Sequence, residues 1–314
     1  MASDLIIVIT GLTASGKSRA ALMLAESLNG TIINADSMQV YQALPILTAQ
    51  PTAADRDRVP HRLYGTISPE QISSAGTWSQ QAAREIEAAR SSNCVPILVG
   101  GTGLYLKALF QGIVDAPPIS AEVRNLVRAK LEKEGIDSIY AELSLADPAM
   151  AQKLRPQDAQ RLVRALEVFT ETGRSLLEWQ QSATKAALPL DKVLLISFEP
   201  DREILLPAIA ARLKQMVERG AIEEVRDLMQ LNLPLDRPIL RAVGVREFSA
   251  YIQGAYTQEE ALVQANIASR QYAKRQKTWL RTQMRSFGKG EKIVNAQFSE
   301  SFVTEILSFV RSFH

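Results

Sequence analysis

The chain has 314 residues, 46% of them hydrophobic, enough for one large core or two smaller ones. Its 36 Lys and Arg nearly balance its 34 Asp and Glu, so any polyanion-binding surface must come from clustering, not excess charge. The single cysteine, Cys94, excludes an internal disulfide, and the only two histidines, His61 and His314, exclude a multi-histidine metal site. No leader-like start and no long apolar run is found, which predicts a soluble cytoplasmic protein without membrane contact.

Leu5 to Ile9 are apolar and β-prone, and read as a buried parallel strand. Gly11-Leu12-Thr13-Ala14-Ser15-Gly16-Lys17-Ser18 then fits G-x-x-x-x-G-K-[ST], the phosphate-cradling loop. A helix follows, with Ala21, Leu24 and Leu28 on one face. Gly11 and Gly16 permit backbone angles that bring N–H groups around a phosphate. Lys17 adds a cation, Ser18 is the residue type that ligates Mg²⁺ here, and the helix N-terminus favours an anion. The motif specifies a di- or triphosphate ligand but not its reaction.

Thr31 to Ala35 read as a second strand after an Asn29-Gly30 turn, and residues 79–90 as a helix. Cys94 to Val99 form a third apolar strand, with Cys94 as a small core residue. Gly100-Gly101-Thr102-Gly103 is a second glycine-rich turn that opens a helix. This alternation predicts an α/β fold with a P-loop NTPase-like, doubly wound parallel sheet, whose ligands sit beyond the strand C-termini. Asp115-Ala116-Pro117-Pro118 breaks the chain, residues 120–182 read as helical, and Val193 to Phe198 return to a strand. The expectation is an all-helical insertion over 115–190 within a core made of 1–114 and 191–314. Residues 201–285 are helical again, broken near Asn232–Pro238.

Asp36 follows the second strand, in Asn34-Ala35-Asp36-Ser37, at the sheet edge that carries the phosphate loop. A carboxylate there is a metal ligand, a general base or a helix cap. The third strand ends in Val99-Gly100-Gly101 without an acidic residue, which counts against NTP hydrolysis. The glycines around Thr102 serve either a ligand or helix packing. No acidic residue occurs from Ala261 to Gly290. Arg270, Lys274, Lys277, Arg281 and Arg285 follow at spacings of 4, 3, 4 and 4, one stripe on a helix. Arg275 points off the stripe, and Tyr272 and Trp279 fall on the opposite, core-facing side. Such a stripe repels itself unless a polyanion lies nearby, RNA phosphates being the natural one; a solvated face is the alternative. Arg161 and Arg164 share a helix face as a smaller basic patch, or pair with Asp158 and Glu167.

With these motifs in order, the chain resembles the tRNA dimethylallyltransferase family, also called tRNA isopentenyltransferases or IPP transferases. The resemblance runs over about residues 5–285. It rests on GLTASGKS at 11–18, NADSMQVY at 34–41, VGGTGLYL at 99–106, PQDAQRLVRALEVFTETG at 156–173, RAVGVREF at 241–248 and RQYAKRQKTWLR at 270–281. It implies Mg²⁺-dependent transfer of a dimethylallyl group from dimethylallyl diphosphate to N6 of the adenosine 3′ to the tRNA anticodon. Diphosphate is released. The loop of Gly11, Leu12, Thr13, Ala14, Ser15, Gly16, Lys17 and Ser18 then holds the donor diphosphate, with Lys17 and Thr13 catalytic and Ser18 on the metal. Asp36 matches the general base, acting on a base drawn out of its stack. Asp36, Ser37, Met38 and Gln39 contact the target adenine and its neighbours. Thr102, Arg124, Gln160, Arg161, Leu162, Val163 and Arg164 contact the anticodon stem-loop, as do Arg241, Ala242, Val243, Gly244, Val245 and Arg246. A monomer is expected.

The chain departs from the family pattern at four places. Leu12 replaces the usual proline, Gln50 a lysine, Gly65 an acidic residue and Val245 a frequent tyrosine. Gln50 puts one polar contact near the donor in doubt; Lys17, Ser18 and Asp36 are intact. Three rival functions use the same loop. A small-molecule kinase leaves the acid-free basic helix unexplained. An adenylate isopentenyltransferase acting on free AMP or ADP needs no large RNA surface. A non-catalytic RNA binder does not need Lys17, Ser18 and Asp36 together.

Overall fold

The computed structural model describes residues 5–113, 118–181, 186–285 and 287–313. The expected break at Asp115–Pro117, Ser182 and His314 lie outside the described residues. The chain divides into two compact units, Met1–Gln111 with Ala187–His314, and Gly112–Ala186.

The first unit begins β1 (Ile6–Gly11), α1 (Lys17–Leu28), β2 (Gly30–Asn34), α2 (Ala53–Arg58), β3 (His61–Arg62), α3 (Ala75–Ser91), β4 (Val95–Val99) and α4 (Gly103–Phe110). The second unit is helical: α5 (Ala121–Glu134), α6 (Ile136–Ala146), α7 (Pro148–Ala151), α8 (Ala159–Thr172) and α9 (Leu176–Gln181). The first unit then resumes with β5 (Val193–Phe198), α10 (Arg202–Glu218), α11 (Ala221–Gln230), α12 (Val245–Ile252), α13 (Gln258–Trp279), β6 (Gly290–Val294) and α14 (Ser301–Arg311).

The sheet order is β3-β2-β4-β1-β5-β6, and every pairing is parallel. From β1 the chain crosses to β2 and β3, then returns as β4 beside β1. It passes to β5 and β6 on the other side, so the connections diverge at the C-terminal end of β1, where a crevice opens. Alternate β1 residues feed two cores, as the two-residue strand period requires. Ile6 and Val8 join Trp78, Leu109, Leu213 and Phe248 on one face. Ile7 and Ile9 join Leu24, Ile306 and Val310 on the other. α1 buries Ala21 and Leu24 as expected, and Leu28 packs at that core's margin. Asn29 ends α1 in the left-handed region, at φ 51°.

The second unit has its own core, with Val127, Ile139, Leu143, Met150 and Leu162. Asp158 caps α8, and Gly173 ends it at φ 66°. Ser120, the cap of α5, donates its hydroxyl to Glu171 at 2.7 Å and ties the start of α5 to the end of α8.

Three expectations change. Cys94 is half-buried just before β4, not in the core. The region 201–285 breaks three times, at Gly220, between Leu231 and Gly244, and around Gly254. The basic helix ends at Trp279 in a π turn over Leu280–Met284, and β6 and α14 follow. β6 (Gly-Glu-Lys-Ile-Val) has little of the apolar run that marked the other strands.

Candidate active site

The phosphate loop leaves β1 at Gly11 and enters α1 at Lys17, with Gly11 at φ 142° and Gly16 at φ 88°. The N–H groups of Leu12, Thr13 and Ser15 are taken by Phe198, Gln276 and Leu12. Those of Ala14, Gly16, Lys17 and Ser18 find no backbone acceptor among the described residues, so four donors converge at the helix N-terminus. The loop lines a cavity of about 930 Å³ in the first unit. Leu12 and Ser15 are buried with their N–H groups already bonded, and neither lines the cavity.

Two cations face this loop. The ammonium of Lys17 donates to the Leu12 carbonyl at 3.3 Å. Burial, followed by repulsion from Arg212, lowers its pKa to about 8, against an opposing pull from Asp36. Arg212, on α10, donates to Thr13 Oγ1 at 3.2 Å, and desolvation lowers its pKa. A site that strains two cations in this way favours an anion between them.

Asp36 lies on the same cavity wall. No helix begins there, so the capping alternative is excluded. Asn34 instead builds a turn: its side-chain oxygen accepts the Asp36 N–H at 2.8 Å, while its amide donates to the Asp36 and Leu63 carbonyls, both at 3.0 Å. Asp36 Oδ1 accepts the Met38 N–H at 2.9 Å. No group among the described residues donates to Oδ2, which leaves that oxygen able to take a proton. Thr102 braces the turn by accepting the Ser37 N–H at 2.9 Å.

The glycines beside Thr102 serve packing. A Cβ at Gly101 would stand 2.2 Å from Gln276 Nε2, and one at Gly103 1.7 Å from Trp279 Nε1. Both neighbours belong to α13 or its end, so this turn is cut to fit that helix. Tyr272, expected in the core, lines the cavity together with Arg275, expected off the stripe. Arg285 also leaves the stripe: it pairs with the buried Glu199 and with Glu291, each at 3.0 Å. Arg270, Lys274, Lys277 and Arg281 remain exposed.

Arg241, Ala242 and Val243 reach the cavity, as do Ser37, Met38 and Gln39. Ala242, Gly244, Val245 and Leu162 are buried, so they present no side chain to a macromolecule. Arg246 and Gln160 are exposed; Val163 is half-buried. In the second unit Arg161 lies 3.4 Å from Asp158 and Arg164 3.9 Å from Glu167, so the pairing alternative holds at both. Arg124 and Arg128 also act on the buried Glu167, whose pKa burial raises. The departures at Gln50 and Gly65 are neighbours: a Cβ at Gly65 would lie 3.2 Å from Gln50 Oε1. Gln50 is committed to the Tyr41 carbonyl at 2.7 Å.

Sequence reasoning missed Arg212, one arginine in an amphipathic helix, and Gln276, hidden in a basic run. It also missed the segment before α14, where the Phe298 N–H donates to the Ser15 carbonyl at 3.0 Å and the Gln297 amide to the Ala14 carbonyl at 3.3 Å. The spacing of Tyr272 and Gln276, one turn apart, was the available signal.

The IPP transferase family profile matches residues 39–283. The chain belongs to the IPP transferase family. It is 47% identical to the tRNA dimethylallyltransferase of Nitrobacter hamburgensis over 90% of this chain and 89% of that protein. It is 44% identical to that of Rhodospirillum rubrum over 98% and 94%. Among solved structures it resembles a eukaryotic dimethylallyltransferase acting on tRNA, with TM-score 0.81, 27% identity and coverage of 98% of this chain and 78% of that one. It also resembles the tRNA isopentenylpyrophosphate transferase of Bacillus halodurans, with TM-score 0.68, 30% identity and coverage of 99% and 96%.

Proposed function

We propose that this family member transfers the dimethylallyl group of dimethylallyl diphosphate to N6 of the adenosine 3′ to the anticodon of tRNA. The observation that carries the reading is the single cavity in which a phosphate loop with two enclosed cations faces the Asp36 turn. The loop N–H groups, Lys17 and Arg212 bind the diphosphate. Thr13 Oγ1, held by Arg212, lies among the same oxygens. The adenine, out of its stack, sits at Asp36 to Gln39. As the bond between the prenyl carbon and the diphosphate oxygen breaks, the N6–carbon bond forms. The N6 proton passes to Asp36 Oδ2, and Lys17 and Arg212 stabilise the charge left on diphosphate.

Mg²⁺ fits this donor set. It takes one or two protein oxygens, keeps several waters and shares phosphate oxygens. Ser18, exposed at the second position of α1, is the protein ligand in this reading. Bound there, Mg²⁺ supplies further neutralisation of the diphosphate. The basic surface for RNA is the stripe of Arg270, Lys274, Lys277 and Arg281 in the first unit, and the second unit adds the polar Gln160 and the acid-paired Arg124, Arg161 and Arg164. No helix among the described residues is long and apolar enough to cross a membrane, in keeping with a cytoplasmic site of action.

Labelled dimethylallyl diphosphate with Mg²⁺ and either tRNA or AMP tests the reading. Label on tRNA alone is expected. Label on AMP would transfer the assignment to free nucleotides, and no transfer to either would overturn it.

A further inference from the structure

We propose that Gln276 is a positioning residue for the transfer step described above, acting through Thr13. The inference rests on that reading of the cavity. Gln276 is on α13 and only 6% exposed. Its side-chain oxygen accepts the Thr13 N–H at 2.8 Å, across 263 residues of sequence. Its amide nitrogen is seated against Gly101, where no Cβ fits. Beside Gly101 stands Thr102, and Tyr272, one turn before Gln276 on α13, lines the same cavity. Thr102 in turn accepts the Ser37 N–H at 2.9 Å. The oxygen of Gln276 thus ties α13 to the phosphate loop, and its nitrogen abuts the Gly101–Thr102 turn that braces Ser37.

This connection has a chemical consequence. Packing alone would accept an apolar side chain of similar volume at Gln276, and burying an amide costs free energy unless both its ends are satisfied. Here the oxygen is spent on Thr13 and the nitrogen is seated at Gly101. Because Gln276 takes the Thr13 N–H, that group is withdrawn from the donors left for phosphate. The Thr13 hydroxyl is turned instead toward Arg212, at 3.2 Å. Gln276 therefore sets where the Thr13 hydroxyl stands relative to the leaving oxygens.

The test is steady-state transfer by the full chain. Gln276→Met keeps the volume and removes the hydrogen bond to the Thr13 N–H. Misplacing a reacting group by about 1 Å costs on the order of 10²-fold, so kcat should fall ~10–100-fold while KM for donor and tRNA stays within about threefold. If Gln276 acts through Thr13, the loss is not repeated in a Thr13→Ala background, where Gln276→Met should cost no more than about threefold. Should the methionine variant fail to fold by thermal melting, Gln276→Asn, one methylene too short to reach Thr13, carries the same expectation. Wild-type kcat in the variant, a loss confined to KM, or losses that multiply with Thr13→Ala would each overturn the proposal. Failure of the underlying reading looks different: the wild-type protein itself would not prenylate tRNA.

Discussion

The lowered pKa of Lys17 makes a quantitative prediction about donor binding. In the free protein, burial and Arg212 hold this lysine near pKa 8. A diphosphate about 4 Å away changes the balance: one opposite charge at an effective dielectric constant of ~20 is worth about 4 kcal/mol, enough to return the ammonium to full charge below pH 10. Binding therefore takes up a proton in proportion to the uncharged fraction: ~0.1 at pH 7, ~0.5 at pH 8 and ~0.9 at pH 9. Above pH 8, affinity should fall by up to about tenfold per pH unit. Calorimetry of an unreactive dimethylallyl diphosphate analogue, in paired buffers of different ionisation enthalpy, reads the uptake directly. The Lys17→Met protein serves as control, because the ligand's own protonation is common to both. The sign for stability follows from the same shift. The folded protein binds fewer protons at Lys17 than the unfolded chain between pH 8 and the ordinary lysine value. The penalty is therefore fully present below pH 8 and is relieved as pH rises through that window. Lys17→Met should stabilise the ligand-free protein at pH 7, by at most about 3 kcal/mol less what solvent in the cavity screens. Proton uptake flat from pH 7 to 9, or equal in the two proteins, would refute this account of the site.

Four further outcomes are expected. Asp36→Asn should lower kcat by ~10²–10⁴-fold with little change in analogue binding, as loss of a general base does; a matching loss of binding would make Asp36 a metal ligand instead. Arg212→Met should weaken the analogue by ~10–100-fold, the worth of a charge-assisted hydrogen bond, and an unchanged Kd would remove Arg212 from the diphosphate site. Neutralising Lys274, Lys277 and Arg281 together should reduce the log–log salt slope of tRNA binding by about 2, with contacts to a single-stranded loop at ~0.7 each. Arg285→Gln should leave that slope alone and cost ~1–3 kcal/mol in thermal stability, because it strands the buried Glu199 carboxylate.

The parts of the fold legible in the sequence are those with one strong local signal. β1, β4 and β5 are uninterrupted apolar runs, as strands covered on both faces must be, and the loop between β1 and α1 carries its own motif. β6 carried no such signal. As an edge strand beside β5 it is solvated on one side, and Gly-Glu-Lys-Ile-Val reads as loop in isolation. The end of α13 was misread for a related reason. Charge periodicity continues from Lys277 to Arg285, but the helix has given way to a π turn by then, and Arg285 turns back to Glu199. Spacing counts residues on an assumed regular helix and cannot register the change of pitch.

The site divides along the same line. Lys17, Ser18 and Asp36 could be read because each is held by its own segment: the loop places Lys17 and Ser18, and Asn34, two residues away, shapes the turn of Asp36. Arg212, Gln276 and Gln297 enter from segments more than 150 residues away, and their importance lies in what they touch. Gln276 shows the limit most clearly. In the run Lys274-Arg275-Gln276-Lys277 it is the one uncharged residue, and a reading for charge passes over it. Yet it is the residue of that run turned inward, because α13 packs against the Gly101–Gly103 turn with no Cβ between them. Gly101 and the glutamine are thus one feature written in two distant places: a methyl at Gly101 would push the Gln276 side chain from its seat, and with it the hold on Thr13. Gly101→Ala, whose methyl would meet Gln276 Nε2, should therefore reproduce the kinetic signature of Gln276→Met.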